Sequence, residues 1–256
     1  MAWFEVEVDA GVEFAGNLRQ RTPLPLVTFR FAEQDFHWFQ PNASATFKSA
    51  KPVVMMDLER IPGGESQARR ILEEFLSVLA YRCESPFLEG TVCITGFPRQ
   101  PVRPMLAPQQ PNAFQQSSMI PPTALRRAEG SDLRLAITLH RHSLCANSPT
   151  DSFLKIYQAL EIVTKATIGS ISRESPNLPG YLNELADRCH LGLPSHHNSW
   201  AIQLKEIRDA IAHPQRTRPE QLHIDPGNSG DRQFVADHRE RADKLFHTCV
   251  DEMPRH

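Results

Sequence analysis

Asp151-Ser152-Phe153-Leu154-Lys155-Ile156-Tyr157-Gln158-Ala159-Leu160-Glu161-Ile162-Val163-Thr164-Lys165-Ala166-Thr167-Ile168 is the stretch that decides the fold. Phe153, Tyr157, Leu160 and Val163 recur at spacings of four and three, which places them on one side of an α-helix. Ile156 and Ile162 widen that side beyond a single stripe. A helix that is apolar over so much of its circumference needs several neighbours to cover it. The spacing therefore predicts a helix at the centre of a bundle.

Three further helical patterns follow it. Pro179 to Cys189 carries Tyr181, Leu182 and Leu185. His196 to His213 carries Trp200, Leu204, Ile207 and Ile211 at i, i+4, i+7 and i+11, a narrow stripe. Asp231 to Met253 carries Phe234, His238, Ala242, Leu245, Phe246 and Cys249. Short connections between four amphipathic helices make an antiparallel four-helix bundle over residues 149–256 the natural arrangement. No internal repeat is visible.

Upstream the period changes from helical to two. Phe4, Val6 and Val8 alternate with Glu5, Glu7 and Asp9. Val27, Phe29 and Phe31 alternate with Thr28 and Arg30, and Phe36 and Trp38 follow a polar turn. This is the pattern of half-buried antiparallel strands. Val53 to Met56 reads as another strand, entered through Pro52. Gly63-Gly64 then breaks the chain, and Ile71, Leu72, Phe75, Leu76 and Leu79 mark a helix from Glu65 to Arg82. The glycine pair lacks the lysine and further glycines of a phosphate loop and reads as a turn. Strand patterns return at Thr91–Thr95 and Leu133–Leu139. Residues 98–130 between them are rich in Pro and Gln and read as a long loop or extended arm. The expected architecture is α+β: a β-rich part with one helix over residues 1–148, then the helical bundle.

The bulk numbers agree with an ordinary globular chain. It has 256 residues, 40% hydrophobic and 23% charged, with a formal net charge of −2. That balance excludes a broadly basic surface for duplex nucleic acid, so any contact with nucleic acid is local. No apolar run has the length of a membrane span. The N-terminus has no basic segment before an apolar one, so no signal peptide is read. The five cysteines are widely spaced, odd in number and without a CxxC pair. They read as free thiols in a reducing compartment, and cytoplasm is the expected location.

Chemistry concentrates in Arg208-Asp209-Ala210-Ile211-Ala212-His213, which closes the third helix of the bundle and precedes Pro214. A guanidinium, a carboxylate and an imidazole lie within about one and a half turns. They can hold a phosphate and move a proton near neutral pH. With Trp200 at zero on a wheel of about 100° per residue, Asp209 and His213 fall opposite the stripe and Arg208 on its flank. Asp209 and His213 are i, i+4 neighbours, so the carboxylate is expected to reach the imidazole. That carboxylate and the helix dipole both favour the protonated ring. Arg208 and His213 do not share a face of a regular helix. Joining them on one phosphodiester takes a distorted helix end or a second copy across a symmetric cleft. The plainer reading is an exposed Asp–His pair capping a helix C-terminus, worth a few tenths of a kcal/mol.

The same six residues resemble the Arg-polar-x-x-x-His signature of HEPN domains, with Asp209 in the polar slot. The four-helix layout from Asp151 to Met253, with the signature ending the third helix, is similar as well. It looks most like the Apea-like branch, and the whole chain resembles the methylamine utilisation protein MauJ family. The resemblance implies a bundle that pairs two-fold and brings two signatures into one cleft. In catalytic HEPN members this makes a metal-independent endoribonuclease, in which the ribose 2′-OH attacks the adjacent phosphate and leaves a cyclic phosphate. Carried over, His213 is the acid/base, Arg208 stabilises charge on the phosphate, and Asp209 orients His213. Other HEPN members are dimerisation or nucleotide-binding modules.

Two other groupings carry weaker signals. His140, His142 and Cys145 suggest a metal site, with His196-His197 or Cys189-His190 as further ligands. No cysteine pair has zinc spacing, so surface histidines at a strand end are the simpler reading, and no metal or cofactor is assigned. Glu73 and Glu74 are helix neighbours that do not converge. They read as a solvated face with Arg69 and Arg70 as counter-charges, and Arg126-Arg127 as a solvated basic pair. The expectations are therefore two: an accessory or scaffold protein linked to amine utilisation, or a HEPN ribonuclease acting through Arg208 and His213. Both imply a homodimer through the bundle. RNA or a protein is the candidate partner, and no membrane is involved.

Overall fold

The computed structural model describes residues 2–9, 12–14, 26–39, 52–96, 118–120, 128–168, 177–189, 197–213 and 222–251. The chain divides into two compact units, Met1–Ala128 and Glu129–His256.

The first unit is built on an antiparallel sheet. Its strands are β1 (Trp3–Asp9), β3 (Leu26–Phe31), β4 (Gln34–Phe39), β5 (Val53–Asp57) and β6 (Leu88–Thr95), in the order β3-β4-β5-β1-β6. A separate parallel pair joins β2 (Val12–Phe14) to β7 (Ser118–Ile120). Period-two patterning does its expected work on β1, where Phe4, Val6 and Val8 are fully buried. Phe4 stands opposite Met56 and Ile94, and Val6 opposite Val54 and Val92. On β5, Val53 to Met56 are all buried, so both faces of this inner strand are covered.

Helix α1 (Gly64–Cys83) lays Ile71, Leu72, Phe75, Leu76 and Leu79 into this core. The Phe75 ring centre lies 4.9 Å from Phe36 and 5.5 Å from Phe31, and the Arg69 guanidinium covers the Phe4 ring. Gly63 and Gly64 hold φ of 93° and 60°, a left-handed turn that leads into the helix. The glycine pair is thus a turn, as its sequence suggested.

The second unit is helical. Its elements are α2 (Ser131–Leu144), α3 (Pro149–Ile168), α4 (Leu178–Cys189), α5 (His197–Ala212) and α6 (Ser229–Asp251). Helix α3 is the centre that its sequence predicts. Phe153, Ile156, Tyr157, Ala159, Leu160 and Val163 are all buried, and α2, α4, α5 and α6 all pack against it. Ser148 starts it, its Oγ accepting from the Asp151 N–H at 3.1 Å.

One expectation is overturned here. Leu133–Leu139 is part of helix α2 and not a strand. The segment alternates loosely, but the buried positions of α2 are Ala136, Ile137, His140, Arg141 and Ser143, which is helical spacing. With α2 included, the second unit holds five helices among the described residues, and the division of the chain falls well before residue 148. Within the expected loop 98–130, Ser118–Ile120 forms strand β7, and residues 98–117 and 121–127, including Arg126 and Arg127, lie outside the described residues. Among the described residues no helix is long and apolar enough to cross a membrane.

Candidate functional site

Helix α5 carries the Arg–Asp–His signature at its C-terminal end. Its buried residues are Ala201, Leu204, Ile207 and Ala210. At about 100° per residue these span a broad arc, and Arg208 falls inside it, close to Ala201 and Leu204. A third of its side chain is exposed, so Arg208 lies on the flank of the buried face, as its sequence predicts. Its guanidinium carbon sits 5.4 Å from the centre of the Tyr157 ring on α3, a cation–π contact. Its Nη1 meets Asp209 Oδ1 at 2.9 Å. The Tyr157 hydroxyl and Arg208 Nε are both shielded from solvent. The guanidinium lies close enough to the phenol to favour its ionised form.

The electrostatics follow from this packing. Burial first, then the Glu161 carboxylate, pushes the Tyr157 phenol up to about 12, with Arg208 pulling the other way. For Arg208, burial works against the charge. Tyr157, Asp209 and Glu161 outweigh it and raise the guanidinium further above its ordinary value. Arg208 is a fixed cation inside its own chain.

Asp209 does not reach His213. Its Oδ1 takes Arg208 and its Oδ2 takes Lys205 Nζ at 2.9 Å, one turn back toward the N-terminus. The expected carboxylate–imidazole pair is therefore replaced by a carboxylate between two cations, because Lys205 is also an i, i+4 neighbour and brings a full charge. His213 is the first residue past the helix. Its backbone N–H donates to the Asp209 carbonyl at 2.9 Å, and its side chain is exposed with no hydrogen bond among the described residues. The structure brings Arg208 and Asp209 together and leaves His213 apart. Tyr157 and Lys205 were not singled out by sequence. Tyr157 was read only as core, because nothing in one sequence pairs residues of two separate helices.

The histidine grouping is rearranged as well. His140 and His142 lie on a helix, about 200° apart, and do not share a face. His140 is fully buried, and its Nε2 lies 3.0 Å from Asp243 Oδ1 on α6. Cys145 ends α2. His190, His196 and the Cys189 side chain lie outside the described residues. On α1, Arg69 turns to Glu65 at 2.6 Å. Compared with protein-family models, curated proteins and solved structures, the chain matches none.

Proposed function

We propose that this chain is a non-catalytic accessory or scaffold protein. In this reading its C-terminal half is a HEPN-like bundle that forms a cytoplasmic homodimer, and its role is tied to amine (methylamine) utilisation, as the resemblance to the MauJ family suggests. One observation carries the reading: the Arg208 guanidinium is committed within its own protomer, over Tyr157 and against Asp209. A phosphate-binding arginine offers its fork to the ligand; this one has Nη1 on Asp209 and its plane beside Tyr157.

A second reading keeps the metal-independent endoribonuclease, with His213 as acid/base and Arg208 supplied across a dimer cleft. The exposed imidazole of His213 favours it, since a second copy can approach that ring.

The experiment incubates wild type, His213→Ala and Arg208→Ala with single-stranded RNA in EDTA, and measures each protein's stability in urea. The scaffold reading expects no cleavage by any of them. It also expects Arg208→Ala to lose about 1 kcal/mol through its contact with Tyr157. Cleavage to cyclic-phosphate ends that disappears in His213→Ala overturns it in favour of the nuclease.

A further inference from the structure

Helices α2 and α6 bring together three side chains that the sequence does not join. His140 comes from α2. Asp243 and His247 come from α6, one turn apart on one face. One ligand atom from each of the three lies within 4.8 Å of the other two. We propose that His140, Asp243 and His247 form a binding site for a divalent transition-metal ion of the zinc type.

The donor set fits that class of ion. Two imidazoles and a carboxylate are the ligands that zinc and its neighbours accept at about 2.0–2.2 Å. Two ligands at that distance from one ion stand roughly 3 to 3.5 Å apart, and His140 Nε2 and Asp243 Oδ1 are already 3.0 Å apart. A ring nitrogen of His247 stands within 4.8 Å of both. Hard cations such as magnesium prefer all-oxygen sites and are disfavoured by the two nitrogens.

The His140 ring is held in place before any ion arrives. It stacks on Phe246, with ring centres 5.0 Å apart and an interplanar angle of 11°, and the His247 ring meets it edge-on at 5.1 Å. Arg239 Nη1 stands 3.7 Å from the other oxygen of Asp243, Oδ2. It orients the carboxylate from behind, as outer partners of metal ligands do, and leaves Oδ1 toward His140. His140 has no exposure, whereas Asp243 and His247 are partly exposed, so the ion approaches from their side. Three protein ligands leave a fourth position to water or a small ligand.

This site is independent of the Arg208 region and of whether RNA is cleaved. The test titrates tag-free, chelator-stripped, reduced full-length protein with Co2+ and then displaces it with Zn2+. One ion per chain is expected, with ligand-field absorption and no thiolate charge-transfer band. Asp243→Asn and His247→Gln, both at partly exposed positions, are each expected to weaken binding at least about tenfold. His142→Ala, on the same helix as His140, is expected to leave it unchanged. Far-UV circular dichroism of each apo protein shows whether helix content is kept. If one variant loses it, the other decides the case, and if both do, a Zn2+-dependent rise in the wild-type melting temperature decides it. No stoichiometric binding, binding unaltered in the folded variants, a thiolate band or no such rise overturns the proposal.

Discussion

At the scale of the residue, Tyr157 decides how the Arg–Asp–His signature is to be understood. It is 1% exposed, and its phenol ionises near 12 where an ordinary tyrosine does so near 10. The sign follows from the native state keeping a proton that the unfolded chain loses. Below about pH 10 both states are protonated and Tyr157 adds no pH dependence. Between about 10 and 12 the unfolded chain ionises first, so stability falls as pH rises. Urea unfolding of wild type is expected to weaken faster over that range than that of Tyr157→Phe, by up to about 1 kcal/mol per pH unit. Parallel curves for the two proteins would show that the Tyr157 phenol is not held above its ordinary range in the folded chain. The sequence exposed the signature's composition but not its orientation. Arg208 was legible as a functional-looking charge, and its partner Tyr157 was legible only as an apolar position. Likewise His140 stood out, while Asp243 and His247 did not, although their i, i+4 spacing on α6 was available to be read.

At the scale of the element, four of the five strands of the main sheet and most helices are legible in part because burial imposes a period on them, whereas the short pair β2 and β7 carries no such period. Phe4, Val6 and Val8 on β1, and Phe153, Tyr157, Leu160 and Val163 on α3, announce their faces directly. Helix α2 did not, for a physical reason. Leu133-Arg134-Leu135 begins with exposed or half-exposed residues, and Leu135 is 50% exposed. Leu133 and Leu135 do not mark its buried face, which is made of Ala136, Ile137, His140, Arg141 and Ser143. A reciprocal polar pair fastens the end of α2 to the start of α3. Ser143 Oγ donates to the Ser152 carbonyl and Ser152 Oγ donates to the Ser143 carbonyl, each at 2.8 Å. Ser143 is buried, so Ser143→Ala is expected to cost about 1 kcal/mol. Because the two bonds share one geometry, Ser143→Ala with Ser152→Ala should cost less than the sum of the singles. A double-mutant cycle in urea measures this, and strict additivity would show that the two serines act separately.

At the scale of the whole molecule, the two units each close a core from their own residues, and the position of their boundary has consequences. The expectation from sequence places the helical part at residues 149–256. The structure assigns 129–256 to one unit, with α2 packed on α3, joined to it by the Ser143–Ser152 pair, and meeting α6 through His140, which stacks on Phe246 and reaches Asp243. Removing α2 uncovers the ring of Phe246 and leaves Asp243 without the His140 nitrogen. The loss combines apolar exposure with a broken buried hydrogen bond. A fragment of residues 129–256 is therefore expected to unfold in one cooperative transition, with helical circular dichroism. A fragment of residues 149–256 is expected to keep helix content but lose the sharp transition and bind a hydrophobic dye, because its central helix is left with an open side. Equal cooperativity of the two fragments would show that α2 is an appendage and that the four helices from α3 to α6 stand alone. Failure of residues 129–256 to fold would show that the second unit draws stability from residues before Glu129.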